Sequence, residues 1–244
     1  MRQFKLVVQY DGTDYVGFQS QPNGPSVQDE LQRAVRRVLG HDVKTLAASR
    51  TDAGVHALGQ VVSVGGEGSI PVTGLVQALN DSLPMAVSIV CGEEVTEQFH
   101  PRHDAIGKLY SYRILNRKLP SPFIERYAWR VQEPLDTALM ARAATFLLGR
   151  HDFTGFEATG GSVRDKVRCL RRVDCDRSGE IVEIRVEGDG FLYKMVRNIV
   201  GTLVEVGSGR MCPEQINEIL GSRDRSRAGP TAPGRGLCLV RVDY

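Results

Sequence analysis

The nine residues Ser49-Arg50-Thr51-Asp52-Ala53-Gly54-Val55-His56-Ala57 lie between two apolar, strand-like runs, at 43–48 and 60–64. They set one carboxylate, Asp52, in a compact loop, with an arginine two residues before it and a glycine two residues after it. Small residues let a large ligand approach the backbone, and an arginine favours the charged form of a neighbouring carboxylate. The segment therefore suits a nucleophilic or basic aspartate, although an Arg/Asp pair that merely fastens a turn fits the same residues.

The elements on either side of this loop predict the order β-α-β-β-α-β. A strand at 3–10 precedes a helix that begins after the N-cap Ser26, with Asp29 at N3, and ends at Gly40. The two strands beside the loop come next. A helix from Val72 to Ser82 and a strand at 86–91 complete the first half.

The second half of the chain can be read in the same order. Its predicted elements are a strand at 108–115, a helix from Asp136 to Leu148, strands at 167–175 and 180–187, a helix at 191–206 and a strand at 237–243. The sequence thus predicts an α+β fold of two tandem ferredoxin-like, RRM-like subdomains, residues 1–105 with the Asp52 loop and residues 106–244. We expect an extended, mainly antiparallel sheet with helices on one face and a central catalytic cleft.

The composition indicates a globular protein, with 41% hydrophobic and 25% charged residues among 244. The first residues resemble no signal peptide and no apolar run is long enough for a membrane span, so we expect a cytoplasmic protein. Five scattered cysteines without a C-x-x-C pair predict reduced thiols rather than a disulfide framework or a zinc ribbon. The proline between His100 and His103 disfavours a metal site there.

Positive charge is clustered, although the net charge is only +2. Residues 102–130 carry seven basic and two acidic residues, with five aromatic residues interleaved. Such a mixture suits phosphate contact combined with base stacking. Further basic clusters lie at 164–172 and 223–227. A solvated surface explains any single cluster about as well.

Two further segments carry residues with chemical uses. In Lys108-Leu109-Tyr110-Ser111-Tyr112-Arg113-Ile114-Leu115, strand alternation places both tyrosines on one face, where a tyrosine can stack on a base or simply pack. In the apolar helical segment 190–201, Arg197 lies between core-like residues, and a partly buried arginine normally needs an anionic partner. Asp52 is one candidate for that partner, and a salt bridge to another acid would serve equally well.

Six separated motifs follow one another along the chain. They are Tyr10-Asp11-Gly12-Thr13 with Tyr15, Gly17, Phe18 and Gln19 nearby, Arg50 to Ala57, Phe99-His100, Tyr110 with Tyr112, Met195-Val196-Arg197-Asn198, and Ala232-Pro233 with Gly236-Leu237. Through these motifs the sequence closely resembles the TruA family of tRNA pseudouridine synthases, nearly from end to end.

The resemblance implies a fold, a substrate and roles for four residues. It implies paired ferredoxin-like subdomains, a working homodimer, tRNA as substrate at uridines 38 to 40 of the anticodon arm, and no cofactor or metal. By resemblance Asp52 is the catalytic aspartate, Tyr110 contacts the target base, Arg197 pairs with the aspartate, and Arg50 helps to displace the base. Two departures from the family pattern, at 193–194 and 234–235, bear on substrate contacts more than on catalysis.

Two other function classes fit parts of the sequence. An RRM-like RNA-binding protein without catalysis would use the aromatic residues for stacking, but it has no use for a buried Arg197 that faces an acid loop. A glycoside hydrolase usually needs two carboxylates that flank one bond, and no second acid lies in a loop comparable to that of Asp52. We therefore predict an isomerase that acts on tRNA.

Overall fold

The computed structural model of the chain describes residues 2–66 and 69–244. In chain order the elements are β1 (Arg2–Tyr10), α1 (Val27–Leu39), β2 (Thr45–Ala47), β3 (His56–Gly66), α2 (Val72–Ser82), β4 (Val87–Val95), β5 (Gly107–Asn116), β6 (Trp129–Val131), α3 (Thr137–Thr145), β7 (Gly149–Asp152), β8 (Val167–Ser178), β9 (Ile181–Gly188), α4 (Met195–Gly207), α5 (Gln215–Ser222) and β10 (Leu237–Asp243). Single turns of 3₁₀ helix lie at Thr154–Phe156, Arg225–Arg227 and Gly234–Gly236.

The chain divides into two compact units, each with a mainly antiparallel sheet and packed helices. The first unit comprises residues 1–106 and 238–244, and the second comprises residues 107–237. The fold is thus a mixed α+β fold, in agreement with the predicted class.

In the first unit, β1 lies between β3 and β4 and is antiparallel to both. The other edge of β3 pairs with β2 in antiparallel orientation, from Thr45 opposite Val64 to Ala47 opposite Val62. The same edge also pairs with β10 in parallel orientation, with Cys238 opposite His56. Strand β3 thus begins at His56, within the 49–57 segment, and it is paired along both edges.

The grouping of β10 with the first unit differs from the predicted second subdomain, 106–244. Besides its pairing with β3, β10 approaches Gly59 so closely that a Cβ atom there would lie 2.5 Å from the carbonyl oxygen of Val240. The hydroxyl of Tyr244 donates to the carbonyl of Pro101 at 2.8 Å, and Nζ of Lys5 lies 4.4 Å from the centroid of the Tyr244 ring. These contacts hold 238–244 against the first unit.

Helix α1 has the caps that the sequence predicts. The hydroxyl of Ser26 accepts from the backbone N–H of Asp29 at 3.1 Å and donates to its carboxylate at 2.6 Å. Gly40 ends the helix in the left-handed region, with φ of 78°. Helix α2 has the predicted bounds, and it packs on β4 and against α1.

The core of the first unit forms between the sheet and these two helices. The buried side chains of this core include Phe4, Leu6 and Val8 of β1. Leu31 of α1 and Leu79 of α2 are buried as well. Each large apolar side chain that is fully buried contributes about 1.5–3 kcal/mol relative to its exposed state. This core supports β3, and hence the loop that precedes it.

In the second unit, β9 lies between β5 and β8, β7 extends the sheet beyond β8, and all three of these pairs are antiparallel. The short strand β6 runs parallel to β5, from Trp129 opposite Ile114 to Val131 opposite Asn116. Helix α3 starts at the N-cap Asp136 and packs on β8 and against α4. Most residues of α4 are buried, so this helix is the centre of the core.

Helix α4 begins four residues later than the predicted start at 191. Residues 193–194 form a turn, and Lys194 immediately before the helix has φ of 56°. A non-glycine residue in this region of backbone space is uncommon, and it marks a sharp change of direction. The prediction also missed β6, β7 and α5, which are short or polar.

Candidate active site

The Asp52 loop is interlocked with residues 12–18, which lie between β1 and α1. The carbonyl of Thr51 accepts from the N–H of Phe18 at 3.0 Å, and Asp52 forms an isolated antiparallel bridge with Gly17. The N–H of Gly54 donates to the carbonyl of Tyr15 at 3.3 Å. The backbone on both sides of the carboxylate is thus fixed by a second loop.

Glycines make this interlock possible. A Cβ atom on Gly12 would lie 2.0 Å from the carbonyl oxygen of Val55, and one on Gly17 would lie 2.8 Å from that of Thr51. Gly17 also has φ of 128°, in the region that favours glycine. Both positions therefore need a residue without a side chain.

Buried polar side chains of β1 and β3 hold the residues at the start of the Asp52 loop. Gln60 in β3 is fully buried, accepts from the N–H of Ser49 at 3.1 Å and donates to its carbonyl at 2.8 Å. The hydroxyls of Tyr10 and Thr51 lie 2.7 Å apart. Because buried hydrogen bonds are costly to break, these contacts hold the residues on both sides of Arg50. Sequence reasoning missed Gln60, although a glutamine before an apolar run in a strand is a signal that could have indicated it.

His56 connects the end of the loop to Asp11 and Gly12. Its Nδ1 atom lies 3.1 Å from the N atom of Gly12 and 3.2 Å from Oδ1 of Asp11. One ring nitrogen cannot accept from the first group and donate to the second at the same time, so the protonation state decides which contact forms. The same oxygen of Asp11 accepts two hydrogen bonds from Thr13, which fixes the turn.

Asp52 and Arg50 differ in exposure. The side chain of Asp52 is half-buried, whereas Arg50 is exposed and makes no hydrogen bond or ion pair with any residue that the structure describes. The fastening Arg/Asp pair that the sequence allowed is therefore not formed by Arg50. An exposed ion pair contributes little stability, so nothing in the fold requires it.

Arg197 lies in the first turn of α4, in the second unit. Its Nε atom donates to the carbonyl of Ala232 at 2.7 Å, and the N–H of Ala232 donates to the carbonyl of Arg197 at 3.1 Å. The half-buried guanidinium is thus oriented by a main-chain carbonyl. The sequence predicted an acidic side chain as a partner of this guanidinium, and it did not predict the carbonyl of Ala232.

Tyr110 and Tyr112 both lie in β5, and both are buried. Tyr110 is 8% exposed, and its ring contacts that of Phe191 edge to face, with centroids 5.2 Å apart. Tyr112 is fully buried, and its hydroxyl donates to the carbonyl of Pro233 at 2.8 Å. Burial raises the pKa of the Tyr112 phenol well above its usual value, and the positive charges of Arg197 and Arg235 offset part of that rise.

Many residues of the basic clusters are occupied by acidic partners. The ion pairs are Arg117 with Glu180, Arg130 with Glu125, Lys166 with Glu157, Arg172 with Asp174, Arg223 with Asp152 and Arg227 with Glu218. By contrast, Arg102, Arg113 and Arg164 are exposed and have no hydrogen bond or ion pair from their side chains within 2–66 and 69–244. Phe123, beside the first cluster, is 90% exposed. These four residues fit contact with a nucleic acid better than the clusters as a whole.

Three further findings concern metals, membranes and cysteines. No group of three or more His, Cys, Asp or Glu side chains in the described residues has the arrangement of a metal site. None of the helices in the described ranges is long and apolar enough to span a bilayer. All five cysteines are free thiols, and Cys91 and Cys212 are exposed.

Comparison with known proteins gives a consistent result. Residues 6–104 and 143–244 match the family model described as tRNA pseudouridine synthase. The chain is 47% identical over 242 residues to tRNA pseudouridine synthase A of Moorella thermoacetica, with 98% of each chain covered. It is 46% identical to the enzyme of the same name from Acetivibrio thermocellus, with 100% of each chain covered. It is also 46% identical to that from Myxococcus xanthus, with 100% of this chain and 92% of the relative covered.

Proposed function

The chain belongs to the tRNA pseudouridine synthase family and isomerises uridine to pseudouridine in tRNA, and we propose that Asp52 is its catalytic carboxylate. The observation that carries this proposal is the backbone of the Asp52 loop. Gly17 and Phe18 hold this backbone through main-chain contacts, and the side chain of Gln60 holds it through a hydrogen bond to Ser49. The carboxylate itself is half-buried. Such rigid placement of a reactive group is what catalysis by positioning requires.

The reaction needs one carboxylate and a held base. The N1 to C1′ bond of uridine breaks, the uracil turns, C5 bonds to C1′, the C5 proton is released and N1 takes up a proton. Asp52 either attacks C1′ as a nucleophile or takes the C2′ proton as a base, and the residues are compatible with both routes. No cofactor is required for either route.

We propose roles for three other residues. Arg197 supplies the counter-charge of the catalytic carboxylate, and Tyr110 contacts the target base. Arg50, exposed and without a partner among the described residues, inserts where the base leaves its stack. Removal of a base from a stack costs a few kcal/mol, so an inserted guanidinium and a stacking ring compensate for part of that cost.

We propose that the target uridines are those at positions 38 to 40 of the anticodon arm, and that a cytoplasmic homodimer is the working form. We further propose that each unit is a ferredoxin-like subdomain of the tandem expected from the sequence. The first unit supports this proposal, because its elements β1, α1, β2, β3, α2 and β4 follow in the order that defines the motif.

The test uses tRNA that carries tritium at uridine C5. The wild-type protein should release label to water, and Asp52→Asn and Asp52→Ala should lower the rate at least about 10²-fold, the lower end for a catalytic acid or base. Asp42→Asn is the matched control, because Asp42 is exposed and lies before the same pair of strands. Equal release from the Asp52 variants and the wild type would refute the catalytic role. tRNAs with uridine at only one of positions 38 to 40 locate the target.

A further inference from the structure

Arg225 differs from the two arginines beside it in the 223–227 cluster. Arg223 and Arg227 form ion pairs with acidic side chains, whereas the guanidinium of Arg225 is directed at polar groups of the second unit's interior. Among the described residues it has no carboxylate partner. Burial lowers the pKa of Arg225. A charged side chain held in this way, without an acid, indicates a role in which its directed hydrogen bonds matter.

The partners of Arg225 lie in two parts of the chain, α4 and residues 228–231. Its Nη2 atom donates to Oδ1 of Asn198 at 3.0 Å and lies 3.1 Å from the hydroxyl of Thr231, and Nη1 donates to the carbonyl of Ala228 at 3.3 Å. The hydroxyl of Thr231 also donates to Oδ1 of Asn198, at 2.6 Å. Arg225 therefore fastens segment 228–231 to α4.

Asn198 is the fixed point of this network. It is fully buried, and its amide donates to the carbonyl of Phe156 at 2.7 Å. Its own carbonyl accepts from the hydroxyl of Thr202 at 2.7 Å, and that hydroxyl accepts from the N–H of Gly229 at 2.9 Å. Each of these hydrogen bonds limits the movement of the residue that follows Arg197 in sequence.

Segment 228–231 lies directly on the backbone of α4. A Cβ atom on Gly201 would lie 1.7 Å from the carbonyl oxygen of Pro230, and one on Gly229 would lie 2.7 Å from Cα of Thr202. The two backbones are thus in direct contact, and Ala232 follows Thr231 in the chain, so a shift of residues 228–231 moves Ala232 as well. Both main-chain polar groups of Ala232 bond to Arg197.

We propose that Arg225 is a positioning residue for Arg197. It fastens segment 228–231 to Asn198 and thereby sets the carbonyl of Ala232 that orients the Arg197 guanidinium. The proposal rests on the role of Arg197 proposed above, and Arg225 itself touches neither the substrate nor the reacting atoms.

The first experiment compares Arg225→Met with Arg227→Met, a change to the neighbouring arginine whose guanidinium pairs with Glu218. Arg225→Met should lower kcat for tritium release at least about tenfold, with KM for tRNA changed less than about twofold, because a small misplacement of a catalytic group lowers the rate and not the binding. Arg225→Lys should recover part of kcat. Arg227→Met should leave both parameters unchanged.

The second experiment repeats Arg225→Met in an Arg197→Lys background. If Arg225 acts through Arg197, the second change should lower kcat less than about twofold further. An equal loss of kcat in both backgrounds, or a rise in KM alone, would overturn the proposal. Should Arg225→Met fail to fold, Thr231→Val removes one link of the same network and carries the same expectation.

The outcomes separate this proposal from the proposed function. If Arg197→Lys retains the wild-type kcat, the role of Arg197 is wrong and the role of Arg225 is wrong with it. If Arg197→Lys lowers kcat and Arg225→Met does not, only the role of Arg225 is wrong.

Discussion

Replacement of Gly17 by alanine tests whether the interlock of the two loops sets the position of Asp52. The new Cβ atom would lie 2.8 Å from the carbonyl oxygen of Thr51 and 3.3 Å from the carbonyl carbon of Asp52. Relief to ordinary contact at 3.4 Å requires a displacement of about 0.6 Å, the difference between 3.4 and 2.8. Because Asp52 bridges to this residue, the displacement acts on the carboxylate's own backbone.

Two consequences have different magnitudes. The positive φ of Gly17 strains any other residue by about 1–3 kcal/mol, which should lower the free energy of unfolding by that amount. A misplacement of 1 Å can lower a rate 10²-fold, so a shift of about 0.6 Å should lower kcat at least about tenfold. Stability and kcat should therefore both fall in Gly17→Ala.

The control is Gly40→Ala, because Gly40 also has a positive φ but a Cβ atom there would meet nothing within 4 Å. It should lower stability by about 1 kcal/mol and leave kcat unchanged. The assay measures tritium release at saturating tRNA together with thermal unfolding of each variant. If Gly17→Ala loses stability but keeps the wild-type kcat, the loop contact does not position Asp52 and the reasoning is refuted.

Three other predictions concern stability and binding. Tyr112→Phe removes one buried hydrogen bond and should lower the free energy of unfolding by about 1 kcal/mol, seen as a fall of about 2–4 °C in the thermal midpoint; an unchanged midpoint would contradict this. Burial raises the pKa of Cys175 from 9.0 to about 12, so its stabilisation is complete below pH 9 and is lost as the pH rises towards 12, at about 1.4 kcal/mol per pH unit. Urea unfolding of Cys175→Ala should lose this contribution and keep only the part due to buried tyrosines such as Tyr112, whereas Cys212→Ala, at an exposed site, should retain the whole dependence. The affinity for tRNA should fall steeply between about 50 and 200 mM salt. Arg164→Ala should reduce the slope of log affinity against log salt by about 1, whereas Arg172→Ala should not, because Arg172 is paired with Asp174. Binding that is independent of salt would refute phosphate contact.

The predictable parts of the fold are those with local signals. Helix α1 carries its own start and stop residues, Ser26 and Gly40, and the period of its apolar residues is clear, so its bounds followed from sequence. Strand β7 has no such signal, because its four residues are mostly polar and are strand residues only through pairing with β8. The grouping of β10 with the first unit was equally out of reach, because it depends on contacts with residues far away in sequence.

In the candidate site, too, some residues have a local sequence signal and others depend on contacts with residues far away in sequence. Asp52 and Arg197 could be singled out because a carboxylate in a glycine-bearing loop and a guanidinium on an apolar helix conflict with a purely structural role. Arg225 appeared only as one member of a basic cluster, since nothing local distinguishes it from Arg227. Its direction is set by Asn198 and Thr231, which lie 27 and 6 residues away.

The position of β10 has a consequence for biosynthesis. During translation this strand is synthesised after the whole second unit. Until then, the edge of β3 at His56 and Ala57 has no parallel partner strand. The second unit is continuous in sequence and can form while the first is still incomplete. Closure of so long a connection is slow, and an exposed strand edge is prone to wrong pairing until it is covered. The strand that carries the end of the Asp52 loop is thus completed late, and this loop has its full set of neighbours only when β10 has docked.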